Sequence, residues 1–174
     1  MSKYQVQPSG KEAFFDASDI IVSKTDMKGR LEYANDVFLN IAGYTEEECL
    51  GEPHSMIRHP KMPRAVFKLL WETIERKEEI FAYVVNMTKN GDHYWVFAHV
   101  TPSLDDNGNV IGFHSNRRVP GRDAVAKVEK LYADLVATEQ KHTNAKEGLQ
   151  ASYDQLMSFV NDNGGKYEEL IFNI

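Results

Sequence analysis

Two Asn-Gly dipeptides, Asn90-Gly91 and Asn107-Gly108, divide residues 80–119 into three runs of β-branched and aromatic residues, and they limit the fold more than any other feature. Asn-Gly is the pair a tight hairpin favours, because both central residues of its preferred turn take φ > 0. The runs are IFAYVVN (80–86), HYWVFAHVTP (93–102) and VIGFHSNRRV (110–119). Joined this closely, they predict an antiparallel three-strand meander. Along the middle run Tyr94, Val96, Ala98 and Val100 share one face, while His93, Trp95, Phe97 and His99 share the other.

Upstream, DIIVSKTD (19–26) and LEYAN flank MKGR, and Lys28-Gly29 sits where a tight turn between two strands needs it. Asp36 opens DVFLNIAGY, whose Val37, Phe38 and Ile41 keep helical spacing until Gly43 ends it. Thr45 with Glu48 three residues on reads as a capping box for a second short helix. Pro53, Pro60 and Pro63 keep GEPHSMIRHPKMP out of long regular structure. A longer helix starts near Pro63, with Val66, Phe67, Leu70 and Ile74 on one face and Trp71 beside them. Two strands, several short helices and a three-strand meander predict an α+β domain: one five-stranded antiparallel sheet with its helices on one face.

After Pro120-Gly121 there is no proline from Asp123 to Val160, and a seven-residue repeat appears. One set is Val128, Leu135, His142, Leu149 and Leu156; the other is Leu131, Thr138, Ala145, Ser152 and Phe159. The pattern predicts one helix of more than thirty residues, polar near its middle, pairing with a second copy or a partner helix. NDNGGK (161–166) breaks it, and YEELIFNI is a short apolar tail. The expected organisation is an N-terminal cap segment (1–18), a domain (19–119), a signalling helix (120–160) and a tail (161–174).

Several functions are set aside. A net charge of −6 argues against non-specific nucleic-acid binding, which needs a basic surface. No apolar run approaches the ~20 residues that cross a bilayer, so no direct membrane insertion is expected. MSKYQVQPSGKE has no apolar core of the kind a secretion signal carries, and a single cysteine, Cys49, fits a reducing compartment; the expected location is cytoplasmic. There is no phosphate-cradling glycine loop, HExxH or CxxC. Ser55 lies near His54 and His59 but lacks the strand–turn–helix context of a nucleophile. The two histidines are five apart, so they do not share a helix face, although in a proline-rich loop one of them can still hold a metal or haem iron.

The stretch TDMKGRLEYANDVFLNIAGYTEEECLGEPHSMIRHPKMPRAVFKLLW, followed by KNGDHYWV, resembles a PAS domain. It is most similar to the flavin-binding PAS domains of bacterial aerotaxis receptors and of PAS-only energy-taxis proteins. The resemblance implies the PAS fold, FAD as cofactor, and a non-enzymatic redox or oxygen sensor that signals to a chemotaxis receptor through its C-terminal helix, with homodimer formation. Carried over by position, Trp71 lies against the flavin and Asn86 faces the ring edge, where an amide can both donate and accept. Arg58 and His59, in the RHP loop, face the phosphates, and an arginine fork suits a pyrophosphate. Asn35 borders the pocket, and Arg117 falls on the inward-facing register of the last strand. His54 occupies the place where light-sensing relatives carry a cysteine; Cys49 lies on the preceding helix, so cysteinyl photochemistry is not expected. Ile80 stands where many flavin-binding members have a second tryptophan, and Lys61 replaces an acidic residue. Two alternatives follow: a cofactor-free dimerisation and docking module, which Ile80 favours, and a haem-binding PAS sensor using His54 or His59.

Overall fold

The computed structural model describes residues 6–174, so the first five residues of the expected N-terminal cap segment lie outside the described residues. The chain forms β1 (Ile21–Thr25), β2 (Leu31–Ala34), α1 (Asp36–Ala42), α2 (Glu46–Cys49), a 3₁₀ turn (His54–Ile57) and α3 (Arg64–Glu75). There follow β3 (Ile80–Met87), β4 (His93–Leu104), β5 (Val110–Arg118), α4 (Arg122–Gln140), α5 (Ala145–Asp162) and α6 (Tyr167–Asn173). The strands form one antiparallel sheet in the order β2-β1-β5-β4-β3.

Local chemistry sets the boundaries. Asn35 caps α1 by accepting from Phe38 N, and Gly43 closes that helix in the left-handed conformation at φ 75°. Thr45 and Glu48 form the reciprocal capping box of α2. Both meander turns carry a positive-φ glycine, Gly91 and Gly108. Alternation along the strands then gives the sheet two faces. Tyr94, Val96 and Ala98 are buried on the inner face, against α1 and α3. Trp95 is also buried, but on the outer face, with its ring 6.1 Å from that of Tyr132 in α4.

The C-terminal region departs from the single long helix that its repeat predicts. It breaks at residues 141–144 into α4 and α5, because Asn144 turns its side chain onto Lys146 N and Glu147 N and starts a new helix. The polar middle of the repeat is the turn itself, and His142 is exposed there. The apolar positions are consumed within the chain: Val128, Leu135 and Leu156 are all at most 2% exposed. Gly148 makes the return possible, since a Cβ there would sit 2.5 Å from the Glu139 carbonyl oxygen. The Tyr132 hydroxyl donates to the Tyr83 carbonyl at 2.6 Å, covering part of the open edge of β3. Phe172 of α6 packs on Phe81 and Phe97.

Candidate functional site

A cavity of about 290 Å³ lies between α3 and the inner face of the sheet. This volume is near the lower end of the roughly 300–1,000 Å³ range of small-molecule sites. Phe67, Leu70, Trp71 and Ile74 form its α3 wall, at the three- and four-residue steps of one helix face. The strands contribute Ser23, Thr25, Val84, Asn86, Ala98, Val100, Phe113, Ser115 and Arg117 at alternate positions, and His114 of β5 joins them out of that alternation. Lys28, Gly29, Pro53, His54, Ser55 and Arg58 line the mouth. Trp71 is held edge-on to Phe113, with ring centroids 5.3 Å apart at 85°. Gly29 matters here: its φ is +74°, and a Cβ would stand 3.4 Å from the Trp71 ring.

The walls are apolar, but the polar atoms within them are incompletely satisfied. Ser115 Oγ and Arg117 Nη1 are buried without a hydrogen-bond partner among the described residues, and Asn86 Nδ2 makes no hydrogen bond of ordinary geometry, its amide only leaning on the Tyr94 hydroxyl across the strand pair. Leaving such a group unmade costs about 1–3 kcal/mol, so three of them beside one hollow point to a guest that accepts hydrogen bonds. Arg117 is 3% exposed, and no carboxylate pairs with it among the described residues. Its Nη2 donates to Ser23 Oγ at 2.8 Å and to His54 Nε2 at 2.6 Å. Burial lowers the Arg117 pKa to about 10, so it stays cationic at neutral pH. Burial, with the Arg117 charge beside it, pushes His54 down to about 3. His54 is therefore neutral, and its Nε2 accepts from the guanidinium.

The residues singled out by sequence divide into two groups. Trp71, Asn86, His54 and Arg58 meet around the cavity, and Arg117 joins them from β5. The Arg58 guanidinium is half-buried, donates to the Met62 carbonyl at 3.1 Å, and lies 4.4 Å over the Phe67 ring. Its backbone bridges that of Asn86 on the free edge of β3, tying the mouth to the strand. Asn35 and His59 lie outside the cavity lining. Besides capping α1, Asn35 locks β1 by accepting from Val22 N and donating to the Ile20 carbonyl. His59 is buried with its ring 5.6 Å from that of His93, and its Nδ1 accepts from Lys61 N. Burial, then His93 and Lys61, lowers its pKa to about 4. Ile80 is buried on the inner register opposite Val100, beyond the cavity lining. Ser23 and Ser115 were missed by motif reading; the signal for them was the strand alternation that also carries Arg117.

Comparison with known proteins gives this architecture its place. A family model described as the PAS fold matches residues 31–117, half of the chain. This chain belongs to the PAS family. Over 117 residues this chain is 41% identical to the aerotaxis receptor of Escherichia coli K12, covering 67% of this chain and 23% of the receptor. Phototropin-1A of Oryza sativa subsp. japonica is 31% identical over 78 residues, 45% of this chain and 8% of that protein. The chain thus spans less than a quarter of the length of these relatives. Among solved structures, the dark state of the blue-light photoreceptor Aureochrome1 LOV superposes with a TM-score of 0.54 at 24% identity, covering 70% of this chain and 84% of that one. A Light-Oxygen-Voltage domain studied with a flavin analogue gives 0.56 at 21% identity, over 64% and 83% of the two chains. These two likenesses support the fold. Among the described residues, no helix is long and apolar enough to cross a membrane.

Proposed function

We propose that this PAS domain is a cytoplasmic redox or oxygen sensor that binds FAD in the hollow between α3 and the sheet and signals to a chemotaxis receptor or similar partner. The observation that carries this reading is the lining: an indole wall at Trp71 with the unsatisfied buried donors of Asn86, Ser115 and Arg117. A flat heterocycle with carbonyl groups on its edge satisfies both at once. The likeness to an aerotaxis receptor and to a domain studied with a flavin analogue supports the same ligand class.

In this reading Trp71 supplies the stacking surface, and Arg117 and Ser115 present donors to carbonyl oxygens. Lys28 and Arg58, the cations of the mouth, face the phosphates. Bound FAD would supply a redox couple of its own. Asn86 would face the ring edge, where its amide can present either a donor or an acceptor. Its backbone link to Arg58 and its place in β3 carry a turn of that amide to the sheet, and Arg117 carries it to the end of β5, four residues before α4 begins. Every step is a reorientation, with no substrate bond made or broken.

His54 Nε2, the atom a haem iron would take, is held by Arg117, and His59 lies outside the cavity lining. The haem alternative through His54 Nε2 or His59 is therefore not supported at the hollow, whose lining also includes His114 of β5. The test is the visible spectrum of the purified protein, followed by titration with FAD, FMN and riboflavin. Flavin bands and uptake of FAD are expected. A folded, colourless protein that takes up none of the three would leave only a docking module. Asn86→Ala should fold and bind FAD while its reduction no longer changes the conformation of 120–174; an unaltered response would discard the amide relay.

A further inference from the structure

Helix α3 has two working faces. One lines the cavity through Phe67, Leu70, Trp71 and Ile74. The other, Arg64, Lys68 and Glu72 at four-residue steps, holds the C-terminal hairpin. At its start, Pro63 provides no side-chain cap. The cap comes from α4: Glu139 accepts from Ala65 N at 3.1 Å and from Arg64 Nε at 3.0 Å, across more than seventy residues of sequence. Its side chain is only 9% exposed. Further along α3, the Tyr153 hydroxyl of α5 donates to Glu72 at 2.6 Å, and Lys68 Nζ lies 4.3 Å over the Tyr153 ring.

Glu139 is tied to the sheet as well as to α3. The helix that carries it is tied to β3 by the Tyr132 hydroxyl on the Tyr83 carbonyl, and its Val128 and Leu135 are buried in the core. The contact between Glu139 and the first turn of α3 therefore gauges how far α3 stands from the sheet, which is the width of the hollow. Helix α5 rests on both partners, with Gly148 seated against the Glu139 backbone. It is bounded by an exposed turn at residues 141–144 and by the positive-φ pair Gly164-Gly165. An element docked on two bodies and hinged at both ends is the one that responds when their spacing changes.

We propose that Glu139 and Tyr153 form a latch that holds α5 on α3 while the cavity is narrow, and that a guest wedged between α3 and the sheet releases α5. Its ligand arm rests on the flavin reading; a second arm does not. The experiment is hydrogen–deuterium exchange on the full chain, comparing residues 145–162 with and without FAD in wild type, Glu139→Ala and Ala98→Phe. Ala98 lines the hollow, so its phenylalanine variant fills the space without a ligand; Val100→Phe does the same from a neighbouring position should the first fail to fold. Exchange in 145–162 should quicken about tenfold with FAD, with the filling variant and with Glu139→Ala, which removes the two hydrogen bonds by which α4 holds the first turn of α3. Because coupling is reciprocal, Glu139→Ala should bind FAD tighter by the factor through which FAD opens wild type.

Exchange of 145–162 unmoved by both FAD and the filling variant would overturn the latch. FAD affinity of Glu139→Ala within twofold of wild type, while FAD opens α5 in wild type, would overturn it too. Should wild type bind no FAD, the filling variants decide: faster exchange keeps the latch while the flavin reading falls, and unchanged exchange removes the latch as well.

Discussion

Replacing Arg117 by methionine should make the ligand-free protein more stable and a poorer binder of FAD. The guanidinium is 3% exposed, has no carboxylate against it among the described residues, and leaves Nη1 without a partner. Methionine is unbranched and of similar reach, so it can fill the space beside Phe38, whose ring lies 5.7 Å from the guanidinium carbon. It removes a buried, unmatched charge. It also strips a donor from Ser23 Oγ and His54 Nε2, but a hydroxyl can rotate and an imidazole can change tautomer. Relief of a buried unsatisfied donor is worth about 1–3 kcal/mol, so a net gain near 1–2 kcal/mol is expected. For a chain of this size that is about 2–8 °C in Tm. Binding moves the other way: a hydrogen bond to a charged group contributes about 1.5–3 kcal/mol, which is about 10–100-fold in Kd. Urea and thermal melts of FAD-free protein, with FAD titrations of the same preparations, measure both. Arg117→Lys keeps the charge and should fall between. A variant that loses 2 kcal/mol or more of stability while binding FAD as before would show that Arg117 is a strut, and the argument from its missing counter-ion would be wrong.

Acid should destabilise the fold early. His54 and His59 titrate near 3 and 4 in the folded chain against an ordinary 6.5, so below 6.5 the unfolded state binds more protons. Their contribution is fully present above pH 6.5 and drains away as the pH falls through 4 and 3, at a ceiling of about 1.4 kcal/mol per pH unit for each histidine, reduced by any water that enters the hollow. Urea midpoints between pH 7 and 4.5 should fall accordingly, and His54→Gln should flatten part of the slope; an identical slope in the variant would remove His54 from the account. Tyr132→Phe leaves the Tyr83 carbonyl unpaired on a strand edge and should cost about 1–2 kcal/mol, read as a lower urea midpoint.

Most of the sheet and both capped short helices were legible in sequence, because hairpin glycines and caps act within a few residues. Gly43 and the Thr45–Glu48 box each do in the structure what their spacing announced, whereas Asn35, expected at the pocket, caps α1 instead. The C-terminal region was read less well. Its seven-residue repeat is real, but a repeat reports only that one stripe is apolar, not which surface covers it. The surface here is the chain's own sheet and α3, and the break is set by one side chain, Asn144, at a point with no proline or glycine to mark it. The cavity was half legible. The family resemblance put Asn86 and Arg117 inward, yet it cannot show that Arg117 would lack a carboxylate, which depends on five strands meeting. His59 illustrates the converse: its neighbours Arg58 and Pro60 suggest one shared role, while the backbone turns its ring toward His93.

The unsatisfied hollow also explains why the domain does not end at β5. Three unsatisfied donors at about 1–3 kcal/mol each consume a large part of the 5–15 kcal/mol typical of a folded domain. Compensation lies on the opposite face of the sheet, where Trp95 packs on Tyr132 of α4, and Phe81 and Phe97 pack on Phe172 of α6. Fully burying a large apolar side chain contributes about 1.5–3 kcal/mol; Trp95 and Tyr132 are so buried, whereas Phe81 and Phe97 are half-buried and Phe172 is 59% exposed, so the cover offsets part of the polar deficit. A fragment of residues 6–119 keeps the hollow and loses the cover. It should unfold without a cooperative transition, or self-associate through the bared aromatic face, and FAD should restore part of its cooperativity by satisfying the donors. Thermal melts and light scattering of this fragment, with and without FAD, decide the matter. A monomeric fragment as stable as the whole chain would show that the polar hollow costs little, and the inference that these donors await a ligand would lose its energetic basis.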